Sequence, residues 1–130
     1  MNDPLAIARA IFESDSRVEL GVLFGSAARG GAGAGSDLDF AVAGEDLDQL
    51  GLGALLARAL GREVDVVDLA TASFALRSSV LRDGRLAFER QRGAWASWRS
   101  RMLSEVELDG PAFARMQEAF LARLASAGRG

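Results

Sequence analysis

The stretch that decides the reading is Leu23-Phe24-Gly25-Ser26-Ala27-Ala28-Arg29-Gly30, followed by a glycine- and alanine-rich loop and then Ser36-Asp37-Leu38-Asp39-Phe40-Ala41-Val42. Leu20 to Phe24 is a continuous apolar run, the pattern of a buried strand. From Asp37 to Ala43 the chain alternates, with Asp37, Asp39 and Ala41 on one side and Leu38, Phe40 and Val42 on the other, which predicts a half-buried strand. The segment from Gly25 to Ser36 is too short for a linker and lies between two strands. It reads as a functional turn, with a brief helical turn starting near Ser26.

Carboxylates at positions i and i+2 of a strand leave the same face, about 6–7 Å apart along the backbone. Like charges held so close repel, and a divalent cation between them relieves that repulsion. Carboxylates are hard oxygen donors suited to Mg²⁺ or Mn²⁺, and two such ions can clamp the attacking and leaving oxygens of a phosphoryl group. Gly25 lets backbone approach a phosphate closely. Ser26 offers a hydroxyl and the start of a turn whose free N–H groups face an anion. Arg29 adds a charged fork for phosphate oxygens. Alone, Asp-x-Asp also describes two solvated acids on an edge strand. The informative pattern is the set: apolar strand, Gly-Ser, short loop, Asp-x-Asp inside a second strand, and a further acid in a third.

That third strand is predicted over Glu63 to Leu69. Asp65 sits mid-strand between Val64 and Val66, where a buried carboxylate needs a cation or a partner. Asp68 lies near the strand's end, where an acid serves a turn or cap, and Glu63 reads as solvated. Asp65 is therefore the preferred third acid, with Asp68 the alternative.

The remaining pattern is that of an α/β protein. Asp3-Pro4 starts a helix with Leu5, Ala8, Ile11 and Phe12 on one face. A second helix spans about 46–60 and closes at Gly61, with Asp46 and Asp48 serving its start. Thr71 or Ser73 caps a third, ending near Gly84, and Arg85 to Glu89 is a short edge strand. Two amphipathic helices follow, one with Trp95, Trp98, Met102 and Val106, the other starting at Pro111 with Phe113, Met116, Phe120 and Leu124. Trp95 and Trp98 read as helix-packing or interface residues, and Arg77, Arg82 and Arg85 as surface charges, with contact to a triphosphate the alternative. The expectation is a single domain over 1–127 with a loose tail at 128–130.

These residues resemble a known family. Gly25-Ser26, Arg29-Gly30 and Ser36-Asp37-Leu38-Asp39 look like the signature of the polymerase-β nucleotidyltransferase superfamily, and most closely its minimal nucleotidyltransferase (MNT) branch, which includes antitoxins paired with HEPN toxins. The order of elements is similar over most of the chain, with the C-terminal helices matched only by pattern. The resemblance implies a small mixed sheet with flanking helices, a metal triad of Asp37, Asp39 and Asp65, and a nucleotide held at Gly25, Ser26 and Arg29. It implies that AMP moves from ATP to a hydroxyl, with Mg²⁺ or Mn²⁺ as cofactor. In that branch the acceptor is a tyrosine of a HEPN toxin. Two other readings remain: an idle MNT fold that neutralises its partner by masking, and a subunit of a small-molecule nucleotidyltransferase.

Absences narrow the field. The chain has no Cys and no His, which removes thiolate catalysis, Cys- or His-bound zinc and a Ser-His-Asp triad. All 15 basic residues are arginine, so a Walker A lysine is missing. A net charge of −3 gives no general nucleic-acid footprint. No stretch approaches the ~20 apolar residues of a membrane span, and Met1-Asn2-Asp3-Pro4 lacks a signal-peptide start. A cytoplasmic protein is expected. It also has no tyrosine, so a tyrosyl product has to appear on another polypeptide.

Overall fold

The computed structural model describes residues 3–28 and 37–106, together with Arg115 and Glu118. Arg29, the Gly-Ala loop to Ser36, most of the helix expected from Pro111 and the tail at 128–130 lie outside the described residues.

Pro4 fixes the backbone at the first helical position and Asp3 accepts from the Leu5 N–H (3.1 Å), so helix α1 runs Pro4–Ser14. The apolar run becomes strand β1 (Val18–Phe24) and the alternating segment β2 (Leu38–Gly44), its antiparallel neighbour. Helix α2 (Gln49–Leu60) stops at Gly61, whose φ of 65° is a left-handed cap. It returns the chain to β3 (Val64–Asp68), parallel to β2. Helix α3 (Phe74–Asp83) begins at Ser73, whose hydroxyl accepts from the Leu76 N–H (3.2 Å). Strand β4 (Arg85–Glu89) then pairs antiparallel with β1, and α4 covers 94–106. The sheet order is β3-β2-β1-β4, a mixed sheet as the sequence leads one to expect.

Strand alternation divides the interior in two. Leu38, Phe40 and Val42 meet Leu52 and Leu56 of α2 and Ala8 and Phe12 of α1 on one face. Phe12 and Phe40 make an edge-to-face contact at 5.7 Å, and Gly21 leaves the room for it, since a Cβ there would lie 2.5 Å from the Phe12 ring. On the opposite face Leu20, Val22, Phe24 and Ala41 meet Val80 of α3, with Trp95 and Trp98 of α4 packed against them. The two indoles stack at 5.6 Å, so both serve packing, as expected.

Two side chains tie the C-terminal end of β4 into the fold. Glu89 accepts from the Gly93 N–H (3.2 Å) and the Trp95 N–H (3.0 Å), capping α4, and these backbone bonds, that from Trp95 foremost, hold its carboxyl below the usual range. Arg90 donates to the carbonyls of Val18 and Asp15 (both 2.9 Å) and, at 3.4 Å, to those of Phe12 and Glu13, closing the C-terminus of α1.

Three expectations change. Asp48 alone caps α2, accepting from the Gly51 N–H (2.9 Å), which delays the helix to Gln49. Asp46 instead occupies a turn at φ 53°, with its carbonyl taken by Arg17 (3.4 Å). Arg77 is not a free surface charge: it pairs with Glu105 (2.9 Å) and bridges α3 to α4. Among the described residues, no helix is long and apolar enough to cross a membrane.

Candidate active site

The acids gather where β1 ends and β2 begins. Because β1 and β2 are antiparallel, Phe24 lies opposite Asp39, and Gly25 follows directly. Because β2 and β3 are parallel and in register, Asp39 lies opposite Asp65. Adjacent strands sit about 4.8 Å apart and partnered side chains share a face. The Asp39 and Asp65 carboxylates therefore stand side by side on the face that carries Ala41 and Phe24.

Asp37 extends the same face at the mouth of β2 and is exposed. Asp39 is half-buried. Burial first, then the negative charges of Asp65 and Asp37, raise its carboxyl above the ordinary value. Among the described residues, no hydrogen bond or ion pair relieves Asp39, Asp65 or Asp37.

Gly25 has a use that the sequence alone did not expose. Its φ is 79°, and a Cβ there would come within 2.8 Å of Asp39 Oδ2. The turn thus needs glycine both for its left-handed backbone and because the Asp39 carboxylate lies against it. Ser26 to Ala28 follow as a hydrogen-bonded turn with Ser26 exposed. Ala27 and Ala28 pack against the core and root the turn. Arg29 lies outside the described residues.

Asp65 and Asp68 are three residues apart on one strand, so they leave opposite faces. Asp68 pairs in register with Val42, on the side away from Asp39, and its carboxylate accepts from the Ala70 N–H (2.9 Å), a turn role. Glu63 is exposed. Asp65 is not buried as expected: its side chain is open to solvent at the sheet edge. Its place beside Asp39 follows from register instead.

The donor set fits a divalent cation in kind: three hard carboxylate donors, one of them half-buried and unrelieved. Among the described residues, no three acidic side chains already close into a cation cage.

A mixed sheet whose central strands bring Gly-Ser and paired aspartates to one end defines a nucleotidyltransferase, and the chain belongs to the polymerase beta nucleotidyltransferase family, whose model matches residues 8–93. Solved structures extend the likeness beyond that core. The chain is 27% identical to one chain of a toxin–antitoxin crystal structure with AMP-PNP, covering 92% of this chain and 99% of that one at a TM-score of 0.73. It is 25% identical to a chain of the toxin–antitoxin MntA-HepT, covering 90% and 97% at a TM-score of 0.67. A third structure, the tri-AMPylated Shewanella oneidensis HEPN toxin in complex with MNT antitoxin, shares the fold at 24% identity, 91% and 99% coverage and a TM-score of 0.66. No curated protein matches the chain.

Proposed function

We propose that this chain is an MNT-type antitoxin that transfers AMP from ATP to a tyrosine hydroxyl of a partner HEPN toxin. The observation that carries the reading is the row Gly25–Asp39–Asp65, in which a half-buried carboxylate, without a cationic partner among the described residues, stands between a phosphate-ready turn and a second acid. The AMP-PNP-bound toxin–antitoxin supports an adenine nucleotide as donor. The AMP-bearing toxin beside a protein of the same fold names the product to look for.

In this reading Asp37, Asp39 and Asp65 hold Mg²⁺ or Mn²⁺. The cation, when bound, neutralises phosphate charge and lowers the proton affinity of an attacking hydroxyl. The N–H groups of the turn after Gly25 and the Ser26 hydroxyl hold the β- and γ-phosphates, and Arg29 adds a charged contact to them. Asp65, exposed on the outermost strand of the row, faces the arriving hydroxyl and accepts its proton. The hydroxyl oxygen bonds the α-phosphorus, the bond to the bridging oxygen breaks, and pyrophosphate leaves. Toxin inactivation follows from placing a bulky anion where RNA phosphates must bind. The catalytic domain is taken to span 1–127.

Intact-mass spectrometry of the co-encoded HEPN toxin, after incubation with this protein, ATP and Mg²⁺, is the test. AMP-sized increments on a toxin tyrosine, absent with Asp39→Ala, are expected. Neutralisation by Asp39→Ala with no mass change would replace catalysis by masking.

A further inference from the structure

The sheet has two edges, and they are finished differently. Helix α1 packs along β4 and Arg90 closes its end. The outer edge of β3 opens instead into a groove of about 640 Å³, lined by Leu50, Gly53, Ala54 and Ala57 of α2 and by Val64 to Val66.

The hydrogen bonds flanking the β2–β3 ladder fix which backbone groups face the groove. The Leu38 N–H donates to the Glu63 carbonyl (3.0 Å) and the Leu69 N–H to the Val42 carbonyl (2.9 Å). Odd-numbered residues of β3 therefore bond to β2, and the N–H and C=O of Val64 and Val66 point outward. Among the described residues, the Val66 carbonyl is taken by Gln49 Nε2 (3.2 Å). The Val64 N–H and C=O and the Val66 N–H have no partner among the described residues, a short stretch of open strand edge. Leu50 stands at its rim, 89% exposed.

We infer that this edge takes an extended segment of the acceptor protein as an added strand, and that the added strand delivers the hydroxyl. The inference rests on the transfer reading above and specifies how the acceptor reaches that site. Register carries it. Asp39 and Asp65 are neighbours across the sheet on one face, so the next strand outward places the residue opposite Asp65 on that same face, about 4.8 Å further along the row. Its side chain then lies against the Asp65 carboxylate. The residues on either side of it project to the other face, into the groove. There Gly53, Ala54 and Ala57 leave space for apolar side chains. Glu63 and Asp65 make the rim acidic, so the segment is cationic near its acceptor residue. Main-chain bonds give such docking its affinity and alternate pockets its specificity. The occupant is another polypeptide, since this chain carries no tyrosine to offer.

The test blocks the groove without touching the acids. A Cβ on Gly53 meets nothing closer than 3.8 Å, and leucine is a better helix former than glycine, so Gly53→Leu fills the groove while favouring α2. With the co-encoded HEPN toxin as probe, Gly53→Leu is expected to raise the KM for toxin by about tenfold or more and leave the KM for ATP unchanged. Independently of catalysis, hydrogen exchange in the complex of toxin with the Asp39→Ala protein is expected to show new protection at the Val64 and Val66 amides. Wild-type toxin KM in Gly53→Leu, together with unprotected Val64 and Val66 amides in a formed complex, overturns the inference. Should wild type transfer no AMP, the functional reading fails, and amide protection alone then decides the docking mode.

Discussion

The two sides of β2 make opposite uses of one backbone. Leu38, Phe40 and Val42 point into a sealed layer against α1 and α2, where Phe12, Phe40, Leu52 and Leu56 are almost wholly removed from water. Asp37 and Asp39 leave the other side, the first exposed and the second half-buried. There α3 and α4 seal only the part of the face around Ala41, Val22 and Val80. A glycine at or just beyond β1 serves each side: Gly21 admits the Phe12 ring and Gly25 admits the Asp39 carboxylate. The first side supplies stability and holds register. The second side holds charges that the first keeps in place.

That division predicts separable effects. The largest is on chemistry: Asp39→Ala and Asp65→Asn should abolish AMP transfer with folding retained, whereas Asp68→Asn, on the sealed side and engaged with Ala70, should keep most activity. Calorimetry should also show that Mg²⁺ no longer tightens ATP binding in Asp39→Ala. Equal metal-dependent binding by wild type and variant would remove Asp39 from the site.

Next comes the sealed side. Phe40→Ala deletes a fully buried ring and should cost about 3–5 kcal/mol, read by urea denaturation. Activity should fall only as far as the folded fraction does. Gly21→Ala forces a methyl against the Phe12 ring and should cost about 1–3 kcal/mol. A Gly21→Ala protein as stable as wild type would mean that the Phe12 ring can shift without loss.

The smallest effect is electrostatic. Burial, Asp65 and Asp37 raise the Asp39 carboxyl, so ionised Asp39 opposes folding in the metal-free protein. A raised native value means that its favourable contribution is present below the ordinary carboxylate range and is lost as pH rises through the native value. Asp39→Asn should therefore melt higher than wild type at neutral pH in EDTA, with the difference shrinking on acidification. Added Mg²⁺ should stabilise wild type and leave the variant unmoved. An Asn variant that melts lower at neutral pH would show that the carboxylate has a stabilising partner.

Much of this division was legible in the residues. The alternation from Asp37 to Ala43 assigns both faces of β2 without any coordinates, and Gly61, Ser73 and Asp3 mark helix ends by their chemistry. What escaped depends on neighbours distant in sequence. Asp65 reads as a buried acid from its valine neighbours, yet it is exposed. Its claim comes from register with Asp39, which is set by a crossover through α2. The roles of Glu89 and Arg90 are not legible in the residues, because their partners are backbone groups, which no side-chain pattern announces. The open edge of β3 was equally hidden, since Val64 and Val66 look like any buried pair until the sheet order places them outermost.

The Arg90 clamp has a consequence for how the chain is made. Its bond to the Val18 carbonyl spans 72 positions, and β4 must pair with β1 across a similar separation. Contacts that distant close last, because the loop entropy is lost before any contact repays it. During synthesis β1 can pair with β2, and β2 with β3, but the other edge of β1 waits until Arg90 has left the ribosome. A nascent chain of this protein thus passes through a stage with β1 bare along one side. Chaperone binding or misassembly should concentrate in that interval and end when the arginine arrives.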